Sequence, residues 1–331
     1  MKKVLITCPP MIKQVLLGRY DSEFQKYNLK YFCPEFEQSM EENEIIKIIA
    51  LYDYWIIGDD KVTRNILETG KKGKLIRCVR WGVGCDNIDF ALFKELNIPI
   101  TNTPNVFGNE VADLCLGYMI GLSRDSFYTD RMVRNCEWNL GKVCGISMTG
   151  KKVCVIGFGD IGKNICKRLL GFDMDIWVSD PFYNNIENNI GNNIGNSVCD
   201  LNGKIVEGFD YVKIRELDLC LEDSDFIVVS CSLNKHTYHL LNREKIMLGK
   251  KDVRIINISR GSIINEKDLI ELLEEGYISR VALDVFETEP IDINNKLLTY
   301  DRCIVGCHNG SNTIEAVDKV SKMCLRILSD K

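Results

Sequence analysis

The apolar run Val153-Cys154-Val155-Ile156 passes without a break into Gly157-Phe158-Gly159-Asp160-Ile161-Gly162, and then into a helical pattern reaching about Leu170. A strand, a glycine turn and a helix in that order predict one βα unit of a parallel sheet, with its turn open to a phosphate. Gly157 permits the tight turn, Gly159 lets backbone approach a pyrophosphate, and Gly162 lets the helix pack closely on the strand. The helix start, at Asp160 and Ile161, adds free N–H groups and a partial positive charge. A second strand, Asp175-Ile176-Trp177-Val178-Ser179, ends in Asp180, 18 residues after Gly162. A carboxylate at that tip accepts both ribose hydroxyls of an adenosine and repels a 2′-phosphate, which predicts NAD rather than NADP. The competing reading is a glycine turn in another doubly wound protein, with Asp180 a solvated loop residue.

Short apolar runs alternate with amphipathic segments almost throughout, the pattern of parallel strands joined by crossover helices, so the class is α/β. Expected strands are Lys3–Thr7, Tyr54–Ile57, Leu75–Val79 and Ile98–Thr101 in a first series. A second series comprises Val153–Ile156, Asp175–Val178, Phe226–Ser230, Arg254–Ile258, Arg280–Leu283 and Cys303–Val305. Two sheets follow, and 331 residues suit two domains. Between the series, Val111, Leu114, Cys115, Tyr118, Met119 and Leu122 recur at helical spacing and predict a buried connecting helix over Asn109–Arg124. The tail Thr313–Leu328 carries Ile314, Val317, Val320, Cys324 and Ile327 on one stripe and is expected to return to the first domain. The Asn- and Gly-rich stretch 184–196 breaks the rhythm and predicts a long surface loop.

A formal net charge of -5 gives no basic field for a polyanion, so no nucleic-acid partner is expected. The N-terminal apolar run is too short for a signal segment, and no stretch approaches the ~18 apolar residues that span a bilayer, so the expected location is cytoplasmic, with no membrane partner. The 15 cysteines are scattered through apolar segments without a CxxC pair, which predicts reduced, mostly buried thiols. Cys303-x3-Cys307-His308 is at most half of a metal site, and no metal is expected.

Three further segments carry candidate chemistry. Ile255-Ile256-Asn257-Ile258-Ser259-Arg260-Gly261 is a buried strand ending in arginine and glycine; Ala282-Leu283-Asp284-Val285-Phe286-Glu287-Thr288-Glu289-Pro290 and Val305-Gly306-Cys307-His308-Asn309-Gly310-Ser311 are the others. Each lies at the C-terminal end of an expected strand, where open parallel sheets bind ligands. Read singly, Arg260 and Glu289 also suit a plain ion pair, and His308 a satisfied polar residue. His236 and His239 fall at a loop–helix junction with no chemistry assigned.

Taken in order, these segments resemble the D-isomer-specific 2-hydroxyacid dehydrogenase family, which includes D-3-phosphoglycerate, D-lactate and glycerate dehydrogenases. The resemblance runs from about Arg80 to the C-terminus and takes in Gly82-Val83-Gly84-Cys85-Asp86-Asn87-Ile88-Asp89, Asn102-Thr103-Pro104 and Ser224-Asp225-Phe226, with Arg260 29 residues before Glu289 and Glu289 19 before His308. It implies two doubly wound parallel-sheet domains: a Rossmann NAD-binding domain over 103–313 and a smaller flavodoxin-like substrate domain over 1–102 and 314–331. It also implies a homodimer. The expected reaction is hydride transfer between NAD and C2 of a small 2-hydroxy or 2-oxo acid. The resemblance makes Arg260 the holder of the substrate carboxylate and 2-oxo oxygen, His308 the acid/base, and Glu289 its partner; a planar guanidinium and a carboxylate-paired imidazole suit those roles. It places Val83 and Gly84 in a carboxylate-binding loop, with Arg80 reaching a distal phosphate or second carboxylate. Asp284 is expected to receive the nicotinamide carboxamide, and Ile258, Ser259 and the backbone His308, Asn309, Gly310 and Ser311 to line its pocket.

Glu289 argues against formate dehydrogenase, which has an amide there. Two residues depart from the family pattern: Cys307 stands where a proline usually precedes the histidine, and Ser232 replaces a proline near the adenine pocket. The acid stays open among 3-phosphoglycerate, glyoxylate or hydroxypyruvate, and D-lactate types. A rival class is an NAD(H)-sensing corepressor-like scaffold of the same fold, for which long tails or a partner groove would be the mark; three residues follow the last expected helix.

Overall fold

Strands buried on both faces read as unbroken apolar runs, and here such runs lie side by side in parallel. The computed structural model describes residues 1–36, 39–190 and 193–330. The chain divides into two compact units, Met1–Phe107 with Ser311–Lys331, and Gly108–Gly310.

The first unit holds a five-stranded parallel sheet of β1 (Lys2–Ile6), β2 (Leu29–Phe32), β3 (Tyr54–Ile57), β4 (Arg77–Arg80) and β5 (Ile100–Thr101), in the order β2-β1-β3-β4-β5. This is the flavodoxin-like order. Its core gathers Leu5, Ile45, Ile49, Trp55, Ile57, Ile66 and Phe93. Residues 103–107 go with this unit because Thr103 both donates its N–H to the Gly82 carbonyl and accepts the Gly82 N–H at its hydroxyl. The C-terminal helix Ile314–Ser329 starts at Thr313, whose hydroxyl caps the Ala316 N–H, and it buries Val317, Val320, Cys324, Leu325 and Leu328. Ile314, expected on that stripe, is exposed. Trp81 donates to Ser321 and Arg77 to the Ile327 carbonyl, which ties the returning helix to β4.

The second unit holds β6 (Lys152–Ile156), β7 (Asp175–Ser179), a hairpin of β8 (Tyr183–Ile190) and β9 (Asn193–Asp200), β10 (Lys213–Ile214), β11 (Phe226–Val229), β12 (Arg254–Asn257), β13 (Val281–Leu283) and β14 (Ile304–Val305). Its seven-stranded sheet runs β10-β7-β6-β11-β12-β13-β14, every pair parallel. That is the 3-2-1-4-5-6 dinucleotide-binding order with one strand added. The helix Gly108–Arg124 belongs to this unit and lies against the helix Asp160–Leu169. Arg168 bonds Asp113 and Asn109 across the contact, and a Cβ at Gly108 would sit 2.5 Å from the Asp160 carboxylate.

The Asn-rich stretch is not a loop. β8 and β9 pair antiparallel, Tyr183 opposite Asp200 through to Ile190 opposite Asn193; Gly191 and Asn192 lie outside the described residues. A Gly-Asn dipeptide between two runs is itself a hairpin signal, outweighed in the sequence by the asparagine content. The hairpin root is apolar: Tyr183 and Phe209 each meet the ring of buried Phe158 edge-on, at 5.1 and 5.0 Å. β2 and β10 also escaped the pattern, being four and two residues long with few buried positions. All 15 cysteines are free thiols, nine of them buried. No helix among the described residues is long and apolar enough to cross a membrane.

Candidate active site

In the second unit, β6 runs into a turn in which Gly157 and Gly162 are sterically required. Gly157 has φ +99°, and a Cβ there would lie 2.7 Å from the Cys231 nitrogen. A Cβ at Gly162 would lie 2.1 Å from the Gly157 carbonyl oxygen, so the helix Asp160–Leu169 sits directly on the turn. Gly159 faces open space, with nothing within 4 Å of its Cβ position. The turn is therefore tight on the protein side and clear on the other, the shape a pyrophosphate needs beside a helix start with Asp160 and Ile161 in its first turn. Asp180, at the end of β7, is pinned to this turn: its carboxylate accepts the N–H of Phe158 at 2.7 Å and of Phe182 at 2.9 Å.

At the end of β12 a buried side chain shapes the next segment. Asn257 accepts the Ser259 N–H at 3.1 Å and donates to the Arg260 carbonyl at 2.9 Å, folding Ile258-Ser259-Arg260 into a turn. Ile258 is buried, the Ser259 hydroxyl bonds the Cys231 carbonyl, and Arg260 is half-buried with Nη1 donating to the Ser259 carbonyl at 2.8 Å. Gly261 brings two site segments together, since a Cβ there would fall 1.9 Å from the Phe286 carbonyl carbon. Only glycine allows the backbone just after Arg260 to lie on that of Phe286 and Glu287.

Glu289 accepts the Phe286 N–H at 3.0 Å through Oε1 and meets His308 Nδ1 at 2.7 Å through Oε2. Burial works against its ionised form, but the hydrogen bond and charge of His308, the Phe286 N–H and the charge of Arg260 together hold the carboxyl below its ordinary range. His308 by contact and Arg260 by its charge therefore both act on the Glu289 carboxylate. His308 itself sits at φ +53°, a left-handed conformation that its neighbours impose. Its N–H donates to the Asp284 carbonyl at 2.7 Å, and the Gly310 N–H donates to Asp284 Oδ2 at 2.9 Å. Asp284 is buried, and its Oδ1 accepts the Tyr118 hydroxyl at 3.1 Å. Burial raises its pKa, opposed by the N–H groups of Asn309 and Gly310 and by Tyr118 and His308. Ser311 falls in the first unit by its contacts.

The residues Val83 and Gly84 also lie in the first unit, after a turn at Gly82 with φ +125°. The Val83 carbonyl accepts from Asn102 at 3.0 Å. Arg80 is engaged within its own unit: Nε donates to the Gly84 carbonyl at 3.0 Å, Nη1 to the Trp81 carbonyl, and Nη2 pairs with Asp59 at 2.9 Å. Its side chain is about nine-tenths buried.

Asn257, Gly261 and Tyr118 were not legible as site residues; only Asn257's place at the tip of an apolar run hinted at a cap. A second histidine–carboxylate contact, His239 Nε2 to Glu287 Oε1 at 2.9 Å, lies two residues along the chain from Glu289.

A doubly wound sheet carrying a glycine cradle, a carboxylate at the tip of its second strand and a carboxylate-paired histidine defines a dinucleotide-dependent oxidoreductase. The family model for the NAD binding domain of D-isomer specific 2-hydroxyacid dehydrogenases matches residues 116–310. The chain is 34% identical over 286 residues to the hydroxypyruvate reductase of Thermotoga maritima, 86% of each chain. It is 35% identical over 283 residues to the D-3-phosphoglycerate dehydrogenase of Methanocaldococcus jannaschii, 85% of this chain and 50% of that one. The apo-structure of D-lactate dehydrogenase from Escherichia coli shares the fold, with a TM-score of 0.79 at 24% identity over 99% of this chain and 96% of that one. The chain belongs to the D-isomer-specific 2-hydroxyacid dehydrogenase family and is an NAD-dependent oxidoreductase acting on CH–OH donors.

Proposed function

We propose that this protein reduces a short, unphosphorylated 2-oxo acid of the hydroxypyruvate or glyoxylate type to its D-2-hydroxy acid, with Arg260, Glu289 and His308 as the catalytic group. The observation that carries this reading is the 2.7 Å contact between His308 and Glu289, on a carboxylate that also feels the charge of Arg260. Arg260 holds the substrate carboxylate and polarises the 2-oxo oxygen through a planar pair of donors. His308, whose protonated form the Glu289 carboxylate favours, gives its proton to that oxygen as negative charge develops there. In the oxidative direction the same nitrogen takes the proton back.

NAD supplies or accepts the hydride when bound. Gly157, Gly159, Asp160, Ile161 and Gly162 hold its pyrophosphate, and Asp180 its ribose. Ile258, Ser259, Asp284 and the backbone of His308, Asn309, Gly310 and Ser311 hold its nicotinamide end. Val83 and Gly84 offer backbone N–H groups to the substrate carboxylate, and Arg80 braces that loop through the Gly84 carbonyl. The inward engagement of Arg80 favours an unphosphorylated acid; the likeness to an archaeal D-3-phosphoglycerate dehydrogenase supports the phosphorylated substrate as second reading.

The protein is read as a cytoplasmic homodimer. Nine buried thiols suit a reducing compartment. The helix Ser126–Arg134 buries none of its residues, and Phe127, Val133, Trp138 and Leu140 around it are all exposed, an apolar face that a second copy would cover.

The test is NADH consumption with hydroxypyruvate, glyoxylate, pyruvate and 3-phosphohydroxypyruvate. Turnover on the short acids that His308→Ala lowers by about 10² to 10⁴ is expected. Silence across the panel in both directions overturns the reading.

A further inference from the structure

Gly306 marks a place where a side chain is excluded. A Cβ on it would lie 2.2 Å from Asp284 Oδ1 and 2.4 Å from the Tyr118 hydroxyl. The phenol, rising from the buried face of the helix Gly108–Arg124, fills the space that any other residue at 306 would claim. Its hydroxyl reaches Asp284 Oδ1 at 3.1 Å, while Oδ2 of the same carboxylate takes the Gly310 N–H and the Asp284 carbonyl takes the His308 N–H. The Asp284 N–H in turn donates to the Asn257 carbonyl at 2.9 Å, the residue that folds the Arg260 turn. One buried aspartate thus joins both turns, and the hydroxyl of Tyr118 is its side-chain donor.

The mechanical consequence concerns His308. A non-glycine residue at φ +53° stays there only while bonds on both sides hold it. Those bonds end on Asp284. Burial and the neighbouring carboxylate push the Tyr118 phenol far above its ordinary value, so it remains a donor over the working range of pH.

We propose that Tyr118 is a positioning residue for the reaction: its hydroxyl, set in the space left by Gly306, fixes the Asp284 carboxylate, which holds the His308–Gly310 backbone and so the imidazole against Glu289. The proposal rests on the dehydrogenase reading above for its catalytic consequence, and on geometry alone for its effect on the imidazole.

Tyr118→Phe removes one oxygen atom from a buried site and keeps the ring. The measurements are the titration midpoint of the His308 imidazole by NMR, assigned by its loss in His308→Ala, and kcat with its pH profile per folded enzyme. A looser contact with Glu289 stabilises the imidazolium less, so the expected midpoint falls and kcat drops about tenfold, the scale of one hydrogen bond to a charged group. An unchanged midpoint and unchanged kcat in Tyr118→Phe overturn the proposal. If the wild type turns over no 2-oxo acid while Tyr118→Phe still moves the midpoint, the dehydrogenase reading has failed and the positioning role stands.

Discussion

Nδ1 of His308 and Oε2 of Glu289 lie 2.7 Å apart, and the carboxylate is the less exposed of the two, 26% against 43%. The pair therefore stabilises the imidazolium from the protein side. In the proposed mechanism reduction needs the protonated ring, so the reductive rate is expected to fall as pH rises through the midpoint and the oxidative rate to rise through it. Glu289→Gln removes the charge, and the expected reductive midpoint moves down by about one unit or more. A profile superimposable on the wild type would separate Glu289 from the proton transfer. Because the folded carboxyl is held below its ordinary value, its contribution to stability is present above the unfolded pKa of about 4.3 and is lost as pH falls through the folded value. Glu289→Gln should lack that acid-dependent step in a thermal melt.

Asp180 is the proposed selector between the two dinucleotides. Its carboxylate is locked to the glycine turn by the Phe158 and Phe182 N–H groups, so a 2′-phosphate would meet a fixed negative charge. Asp180→Ala is expected to raise the KM for NADH about 10- to 100-fold, the loss of hydrogen bonds to a charged acceptor. It should also narrow the preference over NADPH. A variant that keeps its NADH affinity and its discrimination would remove Asp180 from the ribose site.

Arg280 and Asp125 form a bidentate pair at 2.8 and 2.9 Å, both nearly excluded from solvent, between the end of the helix Gly108–Arg124 and the start of β13. Arg280→Ala strands a buried carboxylate, for which the expected loss is about 3–5 kcal/mol of unfolding free energy. Urea denaturation followed by far-UV circular dichroism measures it, and a loss under about 1 kcal/mol, the range of a surface pair, would contradict the burial argument.

The exposed apolar face around the helix Ser126–Arg134 predicts self-association. Sedimentation of the wild type should give twice the chain mass, and Trp138→Glu, which places a charge where an aromatic side chain is 64% exposed, should give the single-chain mass. A monomeric wild type at micromolar concentration would leave that face without the proposed occupant.

Local rules carried much of this protein. The run Val153–Ile156 into Gly157, Gly159 and Gly162 specified its own strand, turn and helix, because the strand is buried on both faces and the turn admits only glycine at 157 and 162. The same rules placed Asp180, Arg260, Glu289 and His308 at strand ends. They failed where the signal was short or misleading: β10 has two residues, and the asparagines of 184–196 hid a hairpin whose identity comes from pairing, which is non-local. Only the tertiary structure decided that Gly261 lies on Phe286, that Gly306 leaves room for a tyrosine from a helix nearly 190 residues earlier, and that Arg80 turns inward. Those are statements about which surfaces touch. Backbone propensity acts within a few residues of itself, whereas close packing and buried hydrogen bonds join segments in space that the chain keeps far apart.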